Sequence, residues 1–505
     1  MQPHLRRKDM PMLLSEILRQ VPYRGIHFRD CEIREIVYDS RQAGPDTLFV
    51  ALPGAFSDGH AYVENAYERG ARAFLTQREV DLPDDAAVAV TEDSRRALSI
   101  AGATFYGHPE RELKIVGVTG TKGKTSIAGM LGACLNSAGV KCGTIGTVGA
   151  YFDGKVLPTV NTTPESLECM RLFRTMADAG CKAVVMEVSS LGLKAHRVDG
   201  ITFEAAIFTN ISPDHIGGKE HQGFAEYSYW KKQLFHQCKT AVLNGDDPFS
   251  SEIIRELTVP YCTYGVEHPA DYVAKNIERT RGNRYFGTAF MCESKEGTYP
   301  VETAVPGLFS VYNALAAIAV CRLLGVSIDA AAKGLASATV IGRNDCLKVP
   351  ADYDVIIDYA HNGRSFTALM DTITAYPHNR IITVFGSVGD RAQLRRQEMG
   401  EISGERADLS IITTDDPGYE EPEKICREIA SFVERSGGVY EIITDREQAV
   451  FYALDTAQAG DIVLLLGKGH ETAQKIRGEK VHYSDYETVE KYFREKGRVF
   501  SREIS

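Results

Sequence analysis

The 505-residue chain reads as an α/β protein of three domains, and three observations say so. Its length suits about three domains at roughly 100–200 residues each. Its last third alternates short apolar runs with helix-like segments, the β-α-β-α order of a doubly wound sheet. In its middle, the apolar run Lys114-Ile-Val-Gly-Val-Thr119 leads through a glycine-rich turn into an amphipathic helix. The expected division is a smaller N-terminal α/β domain over 1–110, a central parallel-sheet domain over 111–340 and a C-terminal domain over 341–505.

Taken in order, region one mixes short strands, Glu35–Tyr38 and Thr47–Ala51, with a helix near Tyr62–Gly70 and turns such as Ser57-Asp-Gly-His60. In region two, Ile127, Met130, Leu131, Cys134 and Leu135 follow the glycine-rich turn at helical spacing, with Gly139 as the stop. The runs Ala183–Val188 and Phe203–Asn210 are continuous apolar stretches, which suit strands covered on both faces. Region three carries strand-like runs at Val355–Ala360, Arg380–Gly386, Leu409–Asp415, Tyr440–Asp445 and Asp461–Gly467, the pattern of a Rossmann-like domain. Ligands of such sheets bind beyond the carboxyl ends of the strands.

Composition narrows the function. With 57 Lys and Arg against 68 Asp and Glu the net charge is −11, unlike a general nucleic-acid binder. No apolar run approaches the roughly 20 residues of a membrane span, and the N-terminus does not read as a secretory signal. The eleven cysteines form no C-x-x-C pair and read as reduced, small apolar fillers, which suits a cytoplasmic location.

The turn Gly117-Val-Thr-Gly-Thr-Lys-Gly-Lys-Thr125 misses the strict phosphate-loop pattern by one residue, Val118, but its physics is complete. Gly120 and Gly123 let backbone N–H groups approach an anion, and the helix N-terminus adds its dipole. Lys124 can reach β- and γ-phosphates, and Thr125 can offer a hydroxyl to Mg²⁺. Gly120, Thr121, Lys122, Gly123, Lys124, Thr125 and Ser126 are therefore the expected ATP-binding loop.

The form Gly120-Thr-Lys-Gly-Lys-Thr125 resembles that of the Mur ligases. Further along, Asn161-Thr-Thr-Pro-Glu165, Met186-Glu-Val-Ser-Ser190, Phe208–His215, Asp358-Tyr-Ala-His361, Gly389-Asp-Arg391 and Gly467-Lys-Gly-His-Glu471 stand in the family's order. Asp39-Ser-Arg41 and Asp58-Gly-His60 match it in region one. The resemblance covers essentially the whole chain and is strongest to the type that adds the third residue of the peptide. It implies an ATP-dependent ligase of peptidoglycan precursor synthesis. ATP would activate the D-glutamate carboxylate of UDP-N-acetylmuramoyl-L-Ala-D-Glu as an acyl phosphate, and the amine of a free diamino acid would capture it. Such chemistry needs positioning and charge neutralisation, hence one or two Mg²⁺ ions.

The resemblance also implies roles. Glu187 and Thr125 would hold Mg²⁺; a carboxylate after an apolar strand is costly unless compensated. His215 would serve a second Mg²⁺, or be a hydrogen-bonded loop histidine. A lysine in K-x-x-[LI]-[FY] would react with CO₂ to a metal-holding carbamate (N6-carboxylysine). It maps to Lys231, with Lys232 as the neighbouring choice; helical geometry puts Lys231 on the face of Leu234 and Phe235. Ser40, Asn161, Thr162, Thr163, Ser189 and Arg197 would bind the uridine-linked substrate, although Thr163-Pro164 also reads as a helix N-cap followed by proline. Asn313, Arg343 and Asp358 would line the nucleotide. Asn313 also reads as a residue of a helix start.

Arg391, Asp415, Asp416, Pro417, Gly418, Gly467 and Glu471 would receive the incoming amino acid. Here the chain departs from the family. Ligases adding meso-diaminopimelate carry D-N-P-R where this chain has Asp415-Asp-Pro-Gly418, and that arginine binds the acceptor's extra carboxylate. Gly418 has no side chain to do so, and Asp416 favours an ammonium. L-Lysine is therefore the expected acceptor. L-Ornithine or diaminopimelate, the latter with a cation such as Arg364 supplied from elsewhere, are the alternatives. A folylpolyglutamate synthase or a non-catalytic nucleotide-binding module are the rival functions. A monomer is expected, with no nucleic-acid partner.

Overall fold

The computed structural model describes residues 11–54, 57–213, 217, 220–282, 285–340, 342–389 and 393–500. Two compact units divide the chain: 1–273 with 316–331, and 274–315 with 332–505.

The first unit begins with a five-stranded sheet in the order Arg24–Ile26, Ala87–Val90, Ala73–Thr76, Thr47–Val50, Glu35–Val37. All neighbours are parallel except the first pair. Its strands alternate strictly. Leu48, Val50, Ala73 and Leu75 pack with Leu14, Ile17, Ala97 and Leu98 on one face; Phe49, Phe74 and Val88 pack with Val63 and Ala66 on the other. The helix Ser94–Phe105 is fixed at its start by Asp93, whose carboxylate accepts from the amides of Arg95 and Arg96. A cap of this kind contributes about 1 kcal/mol.

The larger sheet of this unit runs Lys155–Leu157, Gly149–Phe152, Cys142–Gly146, Ala183–Glu187, Lys114–Thr119, Ala205–Phe208, Ala241–Asn244, Tyr261–Gly265. It is parallel from Cys142–Gly146 through Tyr261–Gly265, and the first two strands add an antiparallel edge. Lys114–Thr119 is first in sequence yet central in space, so strand order reverses beside it, which is where open α/β sheets bind ligands. The helix Lys124–Ser137 follows, and Gly139 past its end takes φ +79°, the left-handed stop expected from the sequence.

In the second unit, Tyr285–Ser294 and Gly297–Thr303 form an antiparallel hairpin with Cys292 opposite Tyr299. A six-stranded sheet runs Asp345–Leu347, Asp354–Asp358, Ile462–Leu466, Ile381–Phe385, Leu409–Ile412, Tyr440–Ile442. It is parallel except at Asp345–Leu347. The five runs read as strands from sequence are these five parallel strands, each ending one to three residues earlier than expected. Two apolar layers cover the faces, one with Phe366, Ile429 and Met399, the other with Val450, Leu454 and Phe493. The helix Leu308–Leu323 starts in this unit, and its residues from Ala316 belong to the first.

All eleven cysteines are free thiols, and eight of them are buried. No helix among the described residues is long and apolar enough to cross a membrane.

One buried ion pair ties the second unit together. The Arg446 guanidinium donates to both carboxylate oxygens of Asp485, each at 2.9 Å, and to the Leu466 carbonyl at 2.8 Å, with both side chains fully buried. Removing one partner of such a pair leaves an uncompensated buried charge, at about 3–5 kcal/mol. Asp485→Asn and Arg446→Met should each destabilise this unit by about that amount in denaturant unfolding; a loss of less than about 1 kcal/mol would show the pair to be solvated in solution.

Candidate functional site

The phosphate loop leaves the central strand at Thr119 and enters its helix at Lys124. Gly120 takes φ +146° and Gly123 φ +90°, conformations that favour glycine. A Cβ on Gly120 would stand 1.9 Å from Thr209 Oγ1, so only glycine lets the next strand's end come this close. Lys124 Nζ bends back to donate to the carbonyls of Gly120 (2.9 Å) and Thr121 (3.1 Å). The Thr121 hydroxyl pairs with Tyr227 Oη at 3.0 Å, and the Lys122 amide donates to Asn210 Oδ1 at 3.0 Å. Ser126 lies in the first turn of the helix.

Glu187 closes the neighbouring strand and is buried. Its Oε1 accepts from Thr125 Oγ1 and from the Thr147 amide, both at 2.9 Å, and its Oε2 accepts from Thr147 Oγ1 at 3.2 Å. Gly146 lies against this carboxylate: a Cβ there would meet Oε1 at 2.1 Å. A carboxylate flanked by two threonine hydroxyls is a set of hard oxygen donors of the kind Mg²⁺ takes, so Thr125 and Glu187 fit the ion the sequence assigned to them. Thr147 joins them, and sequence reasoning missed it; its only signal is its place just after a strand that ends in glycine.

Lys231 is buried, and the neighbouring Lys232 reaches the Glu256 carboxylate at 2.5 Å. Lys231 Nζ donates to the Gly120 carbonyl at 2.7 Å and sits 4.5 Å from the centre of the Tyr227 ring. His215 and Arg391 lie outside the described residues.

The expected substrate residues fall in two places. Ser40 is buried at the start of a short 3-10 turn that Asp39 caps. Thr162 Oγ1 is 3.2 Å from Thr147 Oγ1, which brings the Asn161–Thr163 segment to the Glu187 carboxylate. Thr163 is not a helix cap: the helix is Ser166–Asp178, with Glu165 at its N-cap. The Thr163 hydroxyl is committed instead to the Glu187 carbonyl (3.0 Å) and to Ser189, whose amide donates to it at 2.9 Å. Ser189 itself caps the helix Ser190–Lys194. Arg197 holds Glu165 through Nε at 3.0 Å and Nη2 at 2.9 Å, and Arg95 holds the other oxygen of Glu165 at 3.1 Å.

In the second unit Asn313 is buried inside the helix Leu308–Leu323 rather than at its start. The Asp358 carboxylate accepts from the amides of Asn344 and Ala360, each at 2.7 Å, and burial raises its pKa. Arg343 lies over the Tyr359 ring at 5.0 Å. Tyr359 donates to Glu471 at 3.2 Å, and the rings of His361 and His470 stand near it, at 4.7 and 5.2 Å between ring centres.

The expected amino-acid residues gather beyond the strand ends. Asp415, Asp416 and Glu471 bring carboxylate oxygens within 4.8 Å of one another. The space among them is taken by Lys468, fully buried, whose ammonium stands 2.6 Å from Glu471, 2.8 Å from Asp416 and 3.6 Å from Asp415. Burial alone would lower the Lys468 pKa, but the three carboxylates raise it above the usual lysine range. Asp416, expected to meet an acceptor's ammonium, therefore already has a cationic partner. Burial also raises the Asp415 pKa, against the opposing charges of Arg446 and Lys468. Gly467, at φ +100°, leaves room for Asp415, since a Cβ would meet its Oδ2 at 2.5 Å. Pro417 leads to Gly418 at φ +59°, whose amide and carbonyl pair with Lys475 and Arg477. Sequence reasoning passed over Lys468 as a site residue.

The chain matches the descriptions "Mur ligase family, catalytic domain" over residues 32–112, "Mur ligase middle domain" over 118–321 and "Mur ligase, glutamate ligase domain" over 342–469. It is 38% identical over 485 residues to the UDP-N-acetylmuramoyl-L-alanyl-D-glutamate–2,6-diaminopimelate ligase of Caldanaerobacter subterraneus subsp. tengcongensis, covering 96% of this chain and 99% of that one. It is likewise 38% identical to the ligase of the same name from Geobacillus thermodenitrificans, over 94% of this chain and 98% of the relative. A solved structure of a ligase of that name aligns with TM-score 0.69 and 26% identity, over 97% of this chain and 100% of that chain. These define the protein as an ATP-dependent carbon–nitrogen ligase. The chain belongs to the Mur ligase family, with the family's three-domain α/β fold.

Two outcomes follow. Gly146→Ala should lower Mg²⁺-dependent ATP turnover at least tenfold, by driving Glu187 from its threonines; turnover within twofold of the parent would remove Glu187 from the metal site. The pKa values of His361 and His470 are lowered, first by burial and then by nearby cations, Arg343 with Arg395 for His361 and Arg343 with Lys468 for His470. A depressed folded-state pKa contributes stability that is present above the unfolded value, about 6.5, and is lost as pH falls through the folded value. Unfolding between pH 7.5 and 5 should therefore show stability falling below about pH 6.5, and His361→Gln with His470→Gln should flatten that fall. An unchanged slope would assign it to other groups.

Proposed function

We propose that the chain joins a diamino acid to the D-glutamate of UDP-N-acetylmuramoyl-L-Ala-D-Glu, and that the diamino acid is 2,6-diaminopimelate. The observation that carries this is the end-to-end match to relatives named for that reaction.

The residues then divide the work. An oxygen of the D-glutamate carboxylate attacks the γ-phosphorus of ATP, ADP leaves, and an acyl phosphate results. The acceptor's amine attacks the acyl carbon, inorganic phosphate leaves, and the amine gives up a proton as the amide forms. Gly120–Ser126 cradle the phosphates, with Lys124 turning from the loop carbonyls to the anion. Thr125, Glu187 and Thr147 would hold Mg²⁺, and His215 would serve a second ion; when bound, Mg²⁺ would neutralise charge on the phosphoryl oxygens. Lys231 as a CO₂-derived carbamate adds an anionic oxygen ligand near them. Asn313, Arg343 and Asp358 line the nucleotide. Ser40, Asn161, Thr162, Thr163, Ser189 and Arg197 orient the uridine-linked substrate, and Arg197 exchanges Glu165 for a substrate anion. Arg391, Asp415–Gly418, Gly467 and Glu471 receive the amino acid. The reaction is placed in the bacterial cytoplasm and in a monomer, and the eleven free thiols suit a reducing compartment.

L-Lysine is the second reading, favoured by the missing side chain at Gly418. An amino-acid panel with the muramoyl dipeptide, ATP and Mg²⁺ decides. ADP release should require the dipeptide, and product should form fastest with diaminopimelate; fastest product with L-lysine would establish the second reading, and equal ATP turnover without dipeptide would reject the ligase assignment of substrate. Lys231→Ala should reduce turnover at least a hundredfold, with partial return on adding a short carboxylic acid; parental rates would reject the carbamate.

A further inference from the structure

The hairpin Ala473–Ile476 with Glu479–His482 is stitched to the acceptor loop rather than merely following it in sequence. Gln474 Nε2 donates to the carbonyls of Thr414 (3.2 Å) and Asp415 (3.0 Å). The Lys475 amide donates to Asp416 Oδ1 at 3.1 Å. The Gly418 amide donates to the Lys475 carbonyl at 3.2 Å, and the Arg477 amide to the Gly418 carbonyl at 2.7 Å. Gly418 thus has a basic hairpin edge bonded to both of its backbone polar groups, in a left-handed conformation where a side chain would be strained.

Two lysines address Asp416 from opposite conditions. Lys468 is fully buried and holds Oδ1 at 2.8 Å. Lys475 has a side chain 63% exposed, and its ammonium stands 3.7 Å from Oδ2. An exposed pair at that separation binds its partners weakly, so the Lys475 ammonium can turn to another anion at little cost. Three carboxylates, Asp415, Asp416 and Glu471, face two ammonium groups, and only the one on Lys475 reaches solvent. An acceptor whose far end carries both an ammonium and a carboxylate matches this arrangement, with its ammonium toward the surplus of carboxylates and its carboxylate toward Lys475.

We infer that Lys475 is a specificity-determining residue: it supplies, from the hairpin, the positive charge that position 418 lacks, and so admits a carboxylate at the far end of the diamino acid. This rests on the diaminopimelate reading above. The test is the ratio of kcat/KM for meso-diaminopimelate to that for L-lysine, measured on the full chain and on Lys475→Met, Lys475→Glu and Lys475→Arg. The ratio should fall at least tenfold in Lys475→Met and further in Lys475→Glu, mainly through the KM for diaminopimelate, and be largely kept in Lys475→Arg. A purely structural role would move both acceptors together and leave the ratio where it was, which overturns the inference. A parent enzyme that makes no diaminopimelate product overturns the acceptor reading and the inference with it. A parent that uses diaminopimelate with a ratio indifferent to Lys475→Glu overturns only the role of Lys475.

Discussion

A carboxylate at the end of a buried strand must be compensated, and much of the first unit follows from how Glu187 meets that demand. Its recorded partners are two hydroxyls and an amide. Gly146 has to be glycine for the carboxylate to lie against the adjoining strand. Thr147 has to follow it, Thr125 has to face it from the first turn of the phosphate-loop helix, and Thr163 has to bind the Glu187 carbonyl. Three stretches far apart in sequence thus meet at one residue, two of them on its carboxylate and one on its carbonyl. Neutral donors orient the carboxylate while leaving its charge available to a cation, which a lysine in the same place would not.

The second unit meets the same physical problem in the opposite way. Asp415, Asp416 and Glu471 are drawn together around a buried ammonium, Lys468, so their mutual repulsion is relieved from within the protein. Glu471 also takes the Tyr359 hydroxyl, and Tyr359 carries Arg343 across its ring. Residues from the strand ends at Asp358, Thr413 and Gly467 thus share a single polar network. Arg446, paired with Asp485, donates to the Leu466 carbonyl just before Gly467, and the hairpin bonds to the loop at its edge.

The parallel strands were legible because both of their faces are covered, and the runs Ile115–Val118, Ala183–Met186 and Ile462–Leu466 are therefore free of charged residues. The phosphate loop was legible because glycine spacing and a following amphipathic helix are local signals. The antiparallel additions at Gly149–Leu157, Tyr285–Thr303 and Ala473–His482 were not, since edge hairpins mix polar and apolar residues without a period strong enough to separate them from loops. Thr163 misled for a related reason: Thr-Pro is a sound local cap signal, yet a tertiary partner, the Glu187 carbonyl, outbid it. Thr147 owes its importance to Glu187, 40 residues away, and Lys468 draws two of its three carboxylates, Asp415 and Asp416, from a distant loop, which no short window of sequence contains. Lys468 in particular, between two glycines, has the local look of a solvated lysine.

The cysteines carry a consequence of their own. Burial pushes the Cys238 thiol up to about 11 and those of Cys292 and Cys426 up to about 12, and raises Cys142 and Cys169 as well. Thiolate, the form that alkylating agents and peroxides attack, is correspondingly scarce in the native fold. Mild electrophiles thus meet a largely inert surface, and modification of these sulfurs requires the layers around them to part first. The chain carries native reporters of breathing in both halves, with labelling rates that read out how often each apolar layer opens.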